Sequence, residues 1–342
     1  MTETRSVGKK LVGIYVYDGN ATRYRDADAE GIDQMFYSFA LLREGEVSVA
    51  HWQNFEKFRA YVQKHPNIAP ILSVGGWGAD GFSQAAASDE SRAAFVANAL
   101  RVMAENNFVG VDIDWEYPGS SVAGIQSSPN DRENYTLLLK ALRSGLDTLT
   151  ANDGVPRRLC VALSGAPDMT ANIDCAAVGR IVDQVNLMTY DMQQSDTASH
   201  HAALYASRPG AMSAAACAQA YLDAGIPADK MMLGVAFYGH CWTTEHDDPL
   251  DRPATKKDTL PFAAIAKLIA DAPDAMRYDD VAQAPYCFRG NTFISYDNER
   301  SITQKRNYAV AHRLLGLFAW EYGSLAEGSL IGAMRGADPA NP

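Results

Sequence analysis

The most informative segment of the chain is FVGVDIDWEYP, residues 108–118. It places carboxylates at positions 112, 114 and 116 and interleaves them with Val111, Ile113 and Trp115. Successive side chains of an extended strand point to opposite faces, so the three acids share one face and the apolar residues share the other. Pro118 and Gly119 end the strand directly after the acids. The acids therefore lie at its C-terminal end, which is where parallel barrels carry their catalytic groups.

Acids at every second position also occur on the solvated face of an antiparallel sheet. Here the opposite face is made of large apolar residues, and the stretch ends without the turn residues typical of a hairpin. Three carboxylates this close repel one another unless a shared proton or a bound substrate relieves the conflict. The pattern therefore favours a catalytic site over a solvated sheet face.

The composition indicates a large globular chain with an acidic surface. Of its 342 residues 47% are hydrophobic, and the formal net charge is −11. This excess of negative charge argues against binding to nucleic acid or to an anionic membrane surface. No stretch reaches the roughly 20 apolar residues of a membrane span, and the first ten residues lack the apolar core of a signal peptide. We therefore expect no membrane partner and a cytoplasmic protein, or a secreted one if a leader has been removed.

Residue types that bind metals occur without a recognisable pattern. The five cysteines are widely spaced, and no pair of them has the spacing of metal ligands. The segment Glu245-His246-Asp247-Asp248 fits no standard metal site, and we interpret it, like His200-His201, as solvated surface. We expect neither a metal nor a cofactor.

Short apolar segments alternate with helical segments along the whole chain, which predicts an α/β fold, a (β/α)8 TIM barrel. The gap between the seventh and eighth strands is too long for one helix and contains a helix and further strand-like pieces. We therefore expect residues 1–240 and 297–342 to form a catalytic barrel, and residues 241–296 to form a small α+β insertion subdomain on its rim. The eight predicted strands are Leu11–Tyr17, Gln34–Ala40, Ala69–Val74, Phe108–Trp115, Arg158–Leu163, Gln184–Thr189, Met232–Phe237 and Gly316–Trp320.

Several segments, in order along the chain, resemble the signatures of glycoside hydrolase family 18, the chitinases and their relatives. The acidic motif Asp112-x-Asp114-x-Glu116 in the setting Gly-x-Asp-x-Asp-Trp-Glu-Tyr-Pro is similar to the catalytic signature of that family. The other segments with this resemblance are Ser73–Trp77, Met188–Asp191, Gly234–Gly239, Ile294–Asp297 with Ser301 and Lys305, and Gly316–Glu321. Two positions depart from the family pattern: Val109 stands where an Asp is usual, and His240 stands where an Arg is frequent.

The resemblance implies a separate role for each catalytic residue. Glu116 would be the general acid, with a pKa raised towards neutrality. The family uses substrate-assisted catalysis, in which the 2-acetamido oxygen of the substrate attacks the anomeric carbon and forms an oxazolinium ion. Asp114 would hold the acetamido N–H and share a proton with Asp112. Tyr190 would orient the acetamido oxygen, and Asp191 follows it at the same strand end.

The resemblance also implies a groove for sugars at the barrel mouth. Trp320 offers a flat apolar surface to a sugar ring, and a glycine at position 76 allows the backbone to approach closely. The remaining candidates for substrate binding are Met188, Tyr117, Trp77, Tyr15, Phe39, Tyr238 and, more weakly, Trp242.

The expected activity is hydrolysis of β-1,4-linked N-acetylglucosamine polymers or oligomers, chitin or chitooligosaccharides, with retention of configuration. The expected protein is a monomer, and its partner is the oligosaccharide or polysaccharide itself. Within the family, an endo-β-N-acetylglucosaminidase or a peptidoglycan hydrolase is the alternative. A non-catalytic chitin-binding lectin is a further alternative, because a fold does not fix a function. The presence of Glu116 at the position of the acid argues against the lectin.

Overall fold

The structure, a computed structural model, describes residues 10–20, 23–193, 196–325 and 328–336, and for Lys256 and Lys257 it describes the backbone only. The expectation about a leader peptide depends on residues 1–9, which lie outside the described residues. In the part of the chain that is described, no helix combines the length and the apolar character that crossing a membrane requires.

Eight parallel strands close into a barrel, as the alternating sequence pattern predicts. Each strand is hydrogen-bonded to the next in chain order, and β8 returns to β1, which also pairs with β2. The observed bounds differ from the expected ones by at most three residues. The barrel strands are β1 Leu11–Tyr17, β2 Gln34–Arg43, β3 Ala69–Gly75, β4 Gly110–Asp114, β5 Arg158–Ser164, β6 Gln184–Met188, β7 Met231–Ala236 and β8 Gly316–Trp320.

Helices cover the outside of the barrel. Trp115, which follows β4 on its apolar side, is 1% exposed and stacks on Phe82 at 5.4 Å between ring centroids. This packing explains why the residues between the acids are large and apolar. The helices are α1 Phe55–Lys64, α2 Phe82–Ala86, α3 Asp89–Glu105, α4 Asp131–Asp153, α5 Cys175–Ile181, α6 Ala214–Asp223, α7 Phe262–Asp271, α8 Glu299–Ala311 and α9 Ser329–Arg335.

Between β7 and β8 in the chain lies a second, antiparallel sheet of five strands, here called the insertion sheet, which carries α7. Its first strand begins at Tyr238, two residues after β7 ends, so it starts three residues before the expected boundary at Cys241. Trp242 belongs to the core of this sheet, where it is 0% exposed and packs on Phe293, so the expectation that it lines the sugar groove is wrong. The strands are Tyr238–Thr243, Thr255–Pro261, Met276–Asp279, Ala284–Arg289 and Thr292–Tyr296.

A buried ion pair joins this sheet to the barrel. Lys305 Nζ of α8 donates to Asp297 Oδ2 at 2.6 Å, and both side chains are almost completely buried. The same carboxylate accepts hydrogen bonds from the Ser301 hydroxyl and from the backbone N–H of Ala236, the last residue of β7. Asp297 directly follows the last strand of the insertion sheet. Its carboxylate therefore holds this point of the chain against the end of β7.

Candidate active site

Asp112 lies deepest of the three acids, with a completely buried side chain. Its Oδ2 accepts hydrogen bonds from the Tyr15 hydroxyl at 2.9 Å and from the Ser73 hydroxyl at 2.7 Å. Burial raises the pKa of Asp112 to about 6, and the two hydrogen bonds oppose that rise. Asp112 is therefore a carboxyl that can hold a proton near neutral pH.

Asp114 and Glu116 follow on the same face and line the cleft at the barrel mouth. Burial raises the pKa of Asp114 well above its usual range, and the charges of Glu116 and Asp112 raise it further. Burial likewise raises the pKa of Glu116 to about 7, with a hydrogen bond from Tyr117 acting against it and the charge of Asp191 adding to it. A carboxyl that keeps its proton at neutral pH is what a general acid requires.

Asp112 and Asp114 each have one carboxylate oxygen without a hydrogen-bond partner in the described part of the chain. Asp112 Oδ1 and Asp114 Oδ1 are inaccessible to solvent and have no hydrogen bond to any described residue. Unpaired buried carboxylate oxygens are costly unless a proton or a ligand satisfies them. The environment of both oxygens therefore favours a protonated carboxyl over two adjacent charges.

A chain of polar side chains inside the barrel supports Asp112. Asn186 Nδ2 donates to the Tyr15 hydroxyl at 3.0 Å, and Gln184 Nε2 donates to Asn186 Oδ1 at 2.8 Å. The Tyr15 ring borders the cleft as expected, but its side chain is only 2% exposed and its hydroxyl points to Asp112. The structure thus gives Tyr15 a supporting place under the carboxylates, with little surface left for a sugar.

Asp191, after β6, has left-handed backbone angles, with φ of 55°, which turn its side chain into the cleft. Asp191 Oδ1 accepts hydrogen bonds from the Tyr238 hydroxyl at 2.8 Å and from His240 Nε2 at 2.6 Å. Partial burial acts to raise the pKa of Asp191, but His201 and His240 beside it hold that pKa well below its usual range. Asp191 is therefore ionised, and its charge contributes to the raised pKa of Glu116.

The interpretation of His200 and His201 as solvated surface is wrong. His200 is 5% exposed and bonded to Asp279 at 3.1 Å, while His201 is 0% exposed and lies beside Asp191. The long segment that follows β6 folds back between the barrel and the insertion, which a local sequence pattern does not reveal. The segment from Glu245 to Asp248 is exposed, as its polar composition predicts.

The cleft has a volume of about 1360 Å³ and is bordered by every predicted site residue except Asp112 and Trp242. Its floor carries Trp320, stacked on Phe39 with 5.5 Å between ring centroids and 16° between ring planes. Trp77 stands on the rim with 62% of its surface exposed, and it meets the edge of Tyr117. Exposed flat aromatic surfaces beside carboxylates suit the apolar faces and hydroxyls of sugar rings.

Two glycines after β3 allow the backbone to approach the acids. A Cβ on Gly75 would lie 2.0 Å from the carbonyl oxygen of Asp114, and Gly75 has φ of +120°. A Cβ on Gly76 would lie 2.6 Å from the Phe39 ring, and Gly76 has φ of +94°. Side chains at these positions would push Asp114 or Phe39 out of place.

Several residues that shape the site were missed at the level of sequence. Ser73 could have been found, since it stands two residues before Gly75 on the inward face of β3. Thr259, whose hydroxyl bonds to His240 Nδ1 at 3.0 Å, belongs to the insertion sheet and carried no local signal. Among the described residues, the one group with the types and spacing of a metal centre is formed by Asp191, His201 and His240, whose ligand atoms lie within 4.8 Å of one another.

Comparison with known proteins places this geometry in a family. Residues 12–324 match the family described as glycosyl hydrolases family 18. The chain is 34% identical over 294 residues to Chitinase A1 of Niallia circulans, which covers 78% of this chain and 42% of that protein. It is 30% identical over 318 residues to a class V chitinase of Arabidopsis thaliana, which covers 87% of this chain and 82% of that protein. The chain thus spans about two fifths of the bacterial relative.

A solved structure shares the architecture over nearly the whole chain. A glycoside hydrolase family 18 N-acetylglucosaminidase from Paenibacillus barengoltzii superposes with a TM-score of 0.88 and 33% sequence identity. The superposition covers 96% of this chain and 99% of that one.

Proposed function

The chain belongs to the glycosyl hydrolases family 18, and from this premise we propose that it hydrolyses β-1,4-linked N-acetylglucosamine oligomers or polymers with retention of configuration. The single observation that carries this proposal is the state of Glu116. It borders the cleft, and burial raises its pKa to about 7, so it carries the proton that a sugar leaving group needs.

The first step breaks the glycosidic bond. The carbonyl oxygen of the substrate's own 2-acetamido group attacks the anomeric carbon, while Glu116 gives its proton to the departing glycosidic oxygen. Asp114 accepts a hydrogen bond from the acetamido N–H and balances the positive charge of the resulting oxazolinium ion. The Tyr190 hydroxyl, at the end of β6 in the same cleft, donates to the acetamido oxygen and holds it in line for attack.

The second step returns the enzyme to its starting state. The ionised Glu116 takes a proton from a water molecule, which attacks the anomeric carbon on the face opposite to the bound acetamido oxygen. The carbon–oxygen bond of the oxazolinium ring breaks, and the acetamido group is restored. Two inversions at the anomeric carbon amount to retention. Asp112, held by Tyr15 and Ser73, shares a proton with Asp114 as the charge on Asp114 changes.

The second sheet forms one wall of the proposed sugar site. Tyr238, His240 and Thr259 of this sheet border the cleft, as do residues of the loops after β2 and β3. We propose that residues 241–296 act as an insertion subdomain that deepens the groove, and that the protein works as a monomer.

Release of single N-acetylglucosamine units is a second candidate activity. It is favoured by the likeness to the N-acetylglucosaminidase, which extends over nearly the full length of both chains. An endo-β-N-acetylglucosaminidase, a peptidoglycan hydrolase and a non-catalytic lectin are the other outcomes to test.

The test is a panel of substrates followed by mass spectrometry. Chitotetraose and chitohexaose, a high-mannose glycoprotein and peptidoglycan are incubated with the protein and with a Glu116→Gln control. We expect cleavage of the chitooligosaccharides only. Monosaccharide as the sole early product would favour the second candidate, and binding of chitohexaose without cleavage would favour the lectin. Cleavage of the glycoprotein or of peptidoglycan alone would overturn the proposal.

A further inference from the structure

Asp191 is flanked by two buried histidines from different parts of the chain. His240 comes from the first strand of the insertion sheet, and His201 comes from the segment after β6. His240 Nε2 lies 2.6 Å from Asp191 Oδ1, and His201 Nδ1 lies 3.8 Å from the same atom. Neither imidazole takes part in a step of the proposed mechanism.

His201 is the unusual member of this group. Its side chain is completely buried, and neither Nδ1 nor Nε2 has a hydrogen bond to a described residue. Its backbone is fixed, because the N–H bonds to the Ser295 hydroxyl and the carbonyl accepts from the Met192 N–H. A fixed, buried imidazole with unsatisfied nitrogens is suited to bind a ligand.

His240 is held by an outer partner. Its Nδ1 bonds to the Thr259 hydroxyl at 3.0 Å, while its Nε2 faces Asp191. Histidines that bind metals commonly place one ring nitrogen on the metal and the other against such an oxygen. A threonine hydroxyl both donates and accepts, so it can follow a change of tautomer in the ring.

We propose that Asp191, His201 and His240 form a binding site for a divalent transition metal of the Zn²⁺ type, open to the substrate cleft. Two imidazoles and one carboxylate with a free position towards solvent are a ligand set that Zn²⁺ accepts.

Metal binding requires local changes of tautomer and position. The hydrogen on His240 Nε2 moves to Nδ1, where it is donated in a hydrogen bond to the Thr259 hydroxyl. His201 must move closer, because its Nδ1 lies 3.8 Å from Asp191 Oδ1. Ligand atoms that share one Zn²⁺ at about 2.0–2.1 Å lie roughly 3.3 Å apart in a tetrahedral site, so Asp191 must move away from His240 by about 0.7 Å. The Asp191 side chain is 55% exposed to the cleft and has room for this movement.

Occupation of the site inhibits hydrolysis, a consequence that rests on the proposed function. The charge of Asp191 helps to raise the pKa of Glu116. A divalent cation on Asp191 reverses the sign of that local charge, which lowers the pKa of Glu116, while burial continues to raise it. The metal also fills the wall of the cleft beside Tyr238.

Metal binding is tested without reference to activity. Titration calorimetry with Zn²⁺, and visible absorption with Co²⁺, are run on the full chain and on the variants His201→Asn, His240→Gln and Thr259→Val. His246→Gln is the matched control, because His246 is an exposed histidine among carboxylates outside the cleft. We expect one metal per chain, intense Co²⁺ absorption typical of low coordination number, and a loss of roughly 10- to 100-fold in affinity for Thr259→Val. The two histidine variants lose more, and His246→Gln binds as the parent does.

Several results would overturn the site. These are no saturable binding, equal affinity in the parent and both histidine variants, or a loss confined to His246→Gln. If His201→Asn does not fold, as judged by its melting curve, His240→Gln and Thr259→Val decide the question. Metal binding that follows this pattern in a protein inactive on every substrate would support the site and refute the proposed function. Full activity at saturating Zn²⁺ would refute the inhibition alone.

Discussion

The substitution Glu116→Gln separates proton donation from every other contribution of this side chain. Glutamine has almost the shape of glutamic acid and keeps the hydrogen-bonding oxygen near Tyr117, but it cannot protonate a leaving group. We expect turnover of chitotetraose to fall by roughly 10²- to 10⁴-fold, the range of a lost general acid. The loss should be far smaller for a dinitrophenyl glycoside of N-acetylglucosamine, because its leaving group is acidic enough to depart without a proton.

The same substitution should stabilise the protein at alkaline pH. The pKa of Glu116 is about 7 in the folded chain against an ordinary 4.5, so its ionised form is disfavoured by folding. The stability that belongs to the protonated form is fully present below about pH 4.5 and is lost as the pH rises through 7. At about 1.4 kcal/mol for each tenfold change in proton affinity, the cost of the charge is roughly 3–3.5 kcal/mol above pH 8. Glutamine removes that cost.

Both expectations are measured on the same two proteins. Initial rates are recorded for the two substrates, and urea unfolding is followed at pH 4.5 and at pH 8.5. The variant should gain stability at pH 8.5 only. An equal loss of rate on both substrates would mean that Glu116 does not act as the proton donor. Equal stability of the two proteins at pH 8.5 would mean that burial does not raise its pKa.

Four further outcomes are expected. Asp114→Asn should lower turnover strongly and shift the pH–rate profile, because Asp114 titrates together with its neighbouring carboxyls, and Asp112→Asn should do the same more weakly; unchanged profiles in both would exclude a coupled pair. NMR of the first product from a chitooligosaccharide should show the β-anomer, whereas an initial α-anomer or a trapped sugar ester on Asp114 would exclude substrate assistance. Partly deacetylated chitosan should be cut only after N-acetylglucosamine. The reason is that a well-placed intramolecular nucleophile has an effective molarity of about 10⁵ M or more, which no other group supplies. Mass spectrometry of the new reducing ends checks this, and frequent glucosamine there would contradict it. Lys305→Met should destabilise the fold by about 3–5 kcal/mol in urea unfolding, because Asp297 is left buried without its partner, and a change below 1 kcal/mol would mean that the pair is dispensable.

Local sequence determined the barrel and the chemistry of its fourth strand. The alternation of acids with Val111, Ile113 and Trp115 is a property of neighbouring residues, and strand geometry converts it directly into two faces. The same reasoning applies to the apolar segments of the other strands, because the alternation of side chains along a strand does not depend on distant residues. The short segments Ser73–Trp77 and Met188–Asp191 also sit where a parallel barrel brings all strand ends together.

The partners that surround the acids are set by folding and not by local sequence. Tyr15 was expected to meet the sugar, but the closure of β1 against β2 and β8 aims its hydroxyl at Asp112, 97 residues away in sequence. The sequence predicted His201 to lie on the solvated surface. In the structure the insertion sheet covers this part of the chain, and the His201 ring is completely buried beside Asp191. Burial and charge together set the pKa of a carboxyl, and both depend on residues brought near by folding and not by sequence. The sequence of one strand therefore gives the identity of the three acids, whereas the packing of the whole barrel sets their protonation.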